Sequence, residues 1–216
     1  MSSIDQLVDK LKKRIEYAVA TKKPWKYTQS VELIVAFRGV NPKQPELRFR
    51  DAVVLPKGLG KEVRVCVVAE GDMASKAIEA GAFKVIGRDE LSKIDKKAAK
   101  KIAQECDWVL VRADLMGIAG RILGPALGPR GKAPIPVPPN ADITSYIRQY
   151  KNTTRLFSRD QPFVACRIGS ENMSVEDLAE NALTVLHYIE NKIKRPLLQF
   201  SKIYVKTTSG PAIEVL

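Results

Sequence analysis

Gly131 and Lys132 form the pair in this chain whose types most suggest phosphate chemistry. A phosphate-cradling loop that ends in Gly-Lys carries another glycine five places before its last one, and Ser or Thr directly after the lysine to hold magnesium. The chain has Ala126 and Ala133 at those places. Gly60-Lys61 fails the same test, with Leu55 and Glu62. Spacing therefore argues against nucleotide hydrolysis. His187 is the single histidine, so triad chemistry would need it as the sole base, and no nucleophile elbow lies near it. It reads as a partly buried helical residue. Cys66, Cys106 and Cys166 stand forty or more residues apart, each in or beside an apolar run. They read as small buried side chains, and with one histidine a zinc site would need an unusual ligand set. No catalytic set, metal site or cofactor follows.

Charge points elsewhere. Lys and Arg number 36 against 24 Asp and Glu, a net +12. Such a balance favours an acidic partner: nucleic acid, anionic membrane or acidic protein. No apolar run approaches the roughly 18 residues of a membrane span, and charges from Asp5 onward leave no apolar signal core. A reducing cytoplasm is the expected setting. The segment RGVNPKQPELRFR, residues 38–50, concentrates Arg38, Lys43, Arg48 and Arg50 against Glu46 in an irregular, proline-broken excursion. It suits phosphate contact beside a sheet, and equally an ordinary solvated surface.

The elements that position these residues read as follows. An amphipathic helix runs from Ser3, capped through Gln6, to about Ala20. Strands are expected over 30–37, which should be central in its sheet, and 51–55. From 62 the pattern becomes strand and helix in alternation: strands at 63–69, 84–86 and 108–111, a short helix capped by Asp72, a basic helix capped by Asp95, and a glycine-loosened helix over 115–123. This implies a parallel sheet with helices on its faces. Leu123–Pro139, LGPALGPRGKAPIPVPP, is expected to be a loop, because its prolines and glycines suit no helix or strand interior. A polar helix over 142–150 leads out. A hairpin follows at 154–168, then a loop at 169–172, a long helix capped by Ser174 and ended before Pro196, and strands at 203–205 and 212–216.

Neither end segment has enough strands to bury its own helix. Together they make one α+β sandwich, split β-α-β and mainly antiparallel, formed by 1–61 and 155–216. A Rossmann-like parallel βα domain, 62–154, is inserted into it. Residues 1–61 carry 13 cations against 6 anions, 62–154 carry 15 against 11, and 155–216 carry 8 against 7. Phosphate contact is therefore better placed on the outer domain.

Four segments, in register over nearly the whole chain, are similar to one family. LGPRGKAP resembles an LGPRG-x-x-P signature and VVLPKGLGK a strand–turn LPxGxGK. FVACRIGSENMS resembles a strand and helix entry, and KTTSGPAIEV a C-terminal STTMGPSVxV. The family is that of large-subunit ribosomal protein L one. The long 38–50 loop is similar to its archaeal–eukaryotic branch, and Ser209 departs from the bacterial methionine. The resemblance implies a structural protein, not an enzyme. It would be a free monomer that binds large-subunit ribosomal RNA to form the mobile stalk, and it would act in the cytoplasm within the large subunit. It further implies help in releasing exit-site tRNA and repression of the protein's own messenger RNA. Carried across, Thr207, Thr208, Ser209 and Gly210 match the family's RNA contact, and Arg167, Gly169 and Ser170 its neighbouring loop. Hydroxyls and backbone N–H groups there suit 2′-hydroxyls and phosphates. Two other classes stay open: a nucleotide-binding enzyme housed in the inserted domain, and a DNA-binding regulator.

Overall fold

The computed structural model describes residues 7–22, 24–41, 44–158 and 161–216. The chain opens with α1 (Val8–Ala20), β1 (Ser30–Phe37) and β2 (Arg50–Val54). It continues through β3 (Val65–Val68), α2 (Asp72–Glu79), β4 (Lys84–Ile86), α3 (Arg88–Lys93), α4 (Lys96–Glu105), β5 (Trp108–Arg112), α5 (Met116–Leu127), β6 (Ile135–Val137) and α6 (Ile143–Lys151). It returns as β7 (Thr153–Phe157), β8 (Phe163–Ser170), α7 (Val175–Ile193), α8 (Leu197–Phe200), β9 (Ser201–Thr207) and β10 (Ile213–Glu214). Residues 1–61 with 152–216 form one unit, and 62–151 another. The return comes at Asn152 rather than 155, because β7 already pairs Thr153 with Val54 and the Asn152 carbonyl accepts from the Leu55 N–H at 2.8 Å.

In the outer unit the sheet order is β10-β9-β1-β8-β7-β2, antiparallel throughout. β8 and β9 flank β1 and are joined by α7, which is a split β-α-β arrangement. Burial alternates along β1 and β9, as one covered face requires. Val31, Leu33, Val35, Ile203 and Val205 turn to the covered face, where α1 and α7 pack on each other and on the sheet. Ser174 caps α7 by accepting the Asp177 N–H at 3.1 Å. The cap proposed at Ser3 and Gln6 lies outside the described residues. Wholly buried Asn181 satisfies its amide by donating to the carbonyls of Gly58 and Ile168, both at 2.8 Å, and accepting the Lys57 N–H at 3.0 Å. It thereby fastens the PKGLG turn to α7 and β8.

In the inserted unit the parallel order is β4-β3-β5-β6. β3 is buried along its whole length, as both faces are covered. α3, α4 and α5 share one core with Cys66, Val68, Val109 and Val111, while α2 and α6 pack together elsewhere on the sheet. Four sequence readings need correction here. The loop expected over 123–139 is largely regular: α5 runs to Leu127, a 3-10 turn spans Gly128–Arg130, and β6 follows. Leu123, Ala126 and Leu127 are buried at helical spacing and carry the helix across Pro125, which falls in its last turn. Pro136 is tolerated because β6 is an edge strand. Asp72 is the first residue of α2 rather than its cap, which is Gly71. α3 was not anticipated, being too short to show a period. Finally, Cys66 and Cys106 are joined as a disulfide, with Cα atoms 5.8 Å apart, so only Cys166 is a free buried thiol. Residues forty apart in sequence meet there because the crossover returns β5 beside β3.

Candidate nucleic-acid interface

The C-terminal loop is built against the start of β1. The Thr208 N–H donates to the Ser30 carbonyl at 3.0 Å, and its Oγ1 accepts the Ser30 N–H at 3.1 Å. The same hydroxyl lies 3.3 Å from the Ser30 carbonyl and 3.4 Å from Glu32 Oε1, so its proton is also turned inward. The Ser209 N–H donates to Gln29 Oε1 at 2.9 Å. Lys206 Nζ donates to the Thr208 carbonyl at 2.8 Å. Gly210 closes the turn onto the Thr207 carbonyl. A Cβ on Gly210 would sit 2.4 Å from Thr207 Oγ1, so glycine is required here by close approach. Thr207 itself is fully buried, and its Oγ1 has no hydrogen-bond partner among the described residues. Thr208 and Ser209 are exposed.

Sequence reading missed two aromatic residues beside this loop. Trp25 and Tyr27, about half exposed, stack with ring centroids 6.0 Å apart and planes 28° from parallel. The Tyr27 hydroxyl meets Ser209 Oγ at 2.7 Å. The signal was available: aromatic residues two apart, interleaved with Lys22, Lys23 and Lys26 just before a strand.

Arg167 lies on the uncovered face of the sheet. It pairs in register with Glu32, which on its other side pairs with Lys206, so one carboxylate is flanked by two cations. Gly169 and Ser170, expected in a loop, are the buried end of β8. A Cβ on Gly169 would come within 2.4 Å of Leu178 Cδ2, and Ser170 Oγ donates to the Gly60 carbonyl at 3.1 Å. Both positions serve packing, because the strand ends two residues later than its apolar run suggested. Glu171, just beyond, accepts the Gln29 N–H at 3.0 Å and pairs with Lys22 at 2.9 Å.

The basic excursion is not brought to this surface. Arg38, Arg48 and Arg50 are exposed and sit at the other end of the sheet, where β1 ends and β2 begins. Ser30 and Phe37, the two ends of β1, are separated by about 23 Å at ordinary strand rise. Lys43 lies outside the described residues.

In the inserted unit the order β4-β3-β5-β6 has its switch point between β3 and β5, where an open α/β sheet receives ligands. That place is filled by Arg112. It donates to both carboxylate oxygens of Asp114 at 2.6 Å and to the Glu70 carbonyl at 3.1 Å. The guanidinium holds the Asp114 carboxyl below its ordinary range. Two carboxylates and a committed arginine give nothing to cradle phosphate. Among the described residues no group of His, Cys, Asp and Glu gathers to hold a metal, and no helix is long and apolar enough to cross a membrane.

Comparison with known proteins agrees with this architecture. The model of the ribosomal protein L1p/L10e family matches residues 9–211. The chain is 55% identical over 208 residues to the large ribosomal subunit protein uL1 of Staphylothermus marinus, covering 96% of this chain and 97% of that protein. It is 50% identical to the protein of the same name from Aeropyrum pernix, over 100% and 95% of the two chains. With that of Methanopyrus kandleri it shares 45% identity over 98% and 97%. A match of this extent, over the full run of elements described, means that the chain belongs to the ribosomal protein L1p/L10e family.

Proposed function

We propose that the protein is a component of the large ribosomal subunit and binds large-subunit ribosomal RNA through the surface around Trp25, Tyr27 and the Thr208–Gly210 loop. The family is a structural one, not a family of enzymes. The observation that carries the placement is the closure of Tyr27 onto Ser209, which sets a stacked aromatic pair beside a rigid turn. Aromatic faces take unstacked bases, while the exposed Ser209 hydroxyl, which shares one hydrogen bond with Tyr27, keeps further capacity for a 2′-hydroxyl. Thr207, Thr208 and Gly210 act mainly by holding the turn. Arg167 and Lys206 supply cations beside it, and Arg38, Lys43, Arg48 and Arg50 form a separate basic contact. Residues 1–61 with 152–216 do the gripping. On the same reading the protein works in the cytoplasm, is a monomer when free, forms the mobile stalk that helps exit-site tRNA leave, and represses its own messenger RNA through a mimic of the ribosomal target.

The test is titration of the full chain with large-subunit ribosomal RNA, its own messenger and an unrelated RNA of equal length at one salt concentration. Tightest binding to the ribosomal RNA, weaker to the messenger and weakest to the unrelated RNA is expected. Equal binding to all three would mean charge alone is at work.

A further inference from the structure

The inserted unit carries a groove that the RNA-binding reading leaves unused. It lies between the start of α4 and the last two turns of α5, with a volume of about 270 Å³. Its floor is apolar, from Ile94, Ala99, Ile122, Pro125 and Ala126. Pro125 stands exposed, and Ile94 and Ile122 are only partly buried. The rim is cationic. Lys96 and Lys100 lie one turn apart on α4, and Arg121 comes from α5. These three side chains are exposed, and none has an ion-pair or hydrogen-bond partner among the described residues. The carboxylate lining the groove, Asp95, is already committed to the Ala98 N–H at 2.7 Å.

We propose that this groove docks a short acidic segment of a partner protein, with an apolar side chain seated on Ile122 and Pro125 and flanking carboxylates meeting Lys96, Lys100 and Arg121. The volume gives room for about one or two large apolar side chains. A desolvated apolar anchor ringed by complementary charge is how compact peptide sites obtain both affinity and specificity. Nucleic acid fits less well: phosphates need only the outer lysines of α4 and would leave the apolar floor uncovered.

The experiment selects a phage-displayed random heptapeptide library on the folded full chain. The counter-selection uses the double variant Lys96→Glu with Arg121→Glu, checked for folding by circular dichroism and thermal melting. Both changes are at exposed, unpaired positions, so the variant is expected to fold. Enriched peptides should join Leu, Ile or Phe to flanking Asp and Glu. Synthesised, they should bind the full chain at least ten-fold tighter than the double variant, and lose at least ten-fold when the apolar residue becomes Ser. The proposal is overturned by no enrichment, by acidic peptides that bind equally without an apolar residue, or by affinity unchanged in the double variant. It is overturned in favour of RNA if a single-stranded oligouridylate of equal charge binds as tightly and is lost in the same variant.

Discussion

The Tyr27 hydroxyl lies 2.7 Å from Ser209 Oγ, although 182 residues of sequence separate them. The contact joins the approach to β1 with the turn after β9 and brings Trp25 with it. If these rings receive bases, Trp25→Ala and Tyr27→Ala should each weaken ribosomal RNA binding by about 1–3 kcal/mol. Tyr27→Phe keeps the ring and loses only the contact to Ser209, so it should cost clearly less. Filter binding on the three folded variants decides, and equal losses for Phe and Ala would remove the stacking role.

Thr208 and Arg48 should fail in different ways. Thr208→Val deletes the acceptor for the Ser30 N–H and loosens the turn, with an expected loss of about 1–2 kcal/mol in RNA affinity and no change in salt dependence. Arg48→Ala, at the far end of the sheet, should cost less while reducing the slope of log K against log salt by up to about one. Measurements spanning roughly 0.1–0.5 M salt separate the two.

The disulfide between Cys66 and Cys106 closes a loop of sequence separation 40, for which chain entropy gives about 4 kcal/mol. Reduction, or Cys66→Ser with Cys106→Ser, should therefore lower the melting temperature, with the loss confined to amides of residues 62–151 in hydrogen exchange. Cys166 should stay silent to thiol reagents in the native state, since burial, with a smaller push from Glu32, raises its thiol to about 12. Denaturation without reductant should expose one reactive thiol, and with reductant three.

Glu171 should make stability depend on acid. Desolvation by itself would raise its pKa, but the Lys22 ammonium and the Gln29 N–H outweigh it, and the net direction is downward from about 4.5. A depressed carboxylate stabilises the fold above its unfolded pKa and loses that contribution as pH falls through the folded value. Denaturant melts should thus show stability falling below about pH 4.5, with a shallower fall in Glu171→Gln. An identical profile in the variant would assign the acid sensitivity elsewhere.

A chain of residues 1–61 joined by a short link to 152–216 should fold and retain ribosomal RNA affinity within ten-fold, about 1.4 kcal/mol, of the full protein. The outgoing and returning segments run side by side: Val54 lies opposite Thr153, and the Leu55 N–H donates to the Asn152 carbonyl at 2.8 Å, so a short link from Lys61 suffices. A folded deletion protein with a larger loss would assign part of the grip to residues 62–151.

Much of the architecture was legible because local signals agreed with the global arrangement. Ser174 with Asp177 announced α7, Asp95 announced α4, and the strand–helix alternation from 62 announced a parallel sheet. What escaped depended on tertiary context. The prolines and glycines of 123–139 point to a loop, yet burial of Leu123, Ala126 and Leu127 outweighs the donor that Pro125 lacks. The disulfide was unreadable because spacing alone gives no connectivity. At the proposed RNA surface the turn residues were found through a family motif. The motif could not tell which of them face outward, and Thr207, Gly169 and Ser170 turn inward.

β1 stands at the centre of its sheet, yet both strands beside it, β8 and β9, belong to the last third of the chain. A ribosome making this protein delivers β1 early and its neighbours late, while 62–151 emerges whole and is free to fold between them. The first segment must wait, unpaired, through most of synthesis. Because Tyr27 meets Ser209 only after β9 has formed, a prematurely ended chain cannot present the assembled surface. Under the proposed function, the order of the elements would therefore reserve RNA for chains that have been finished.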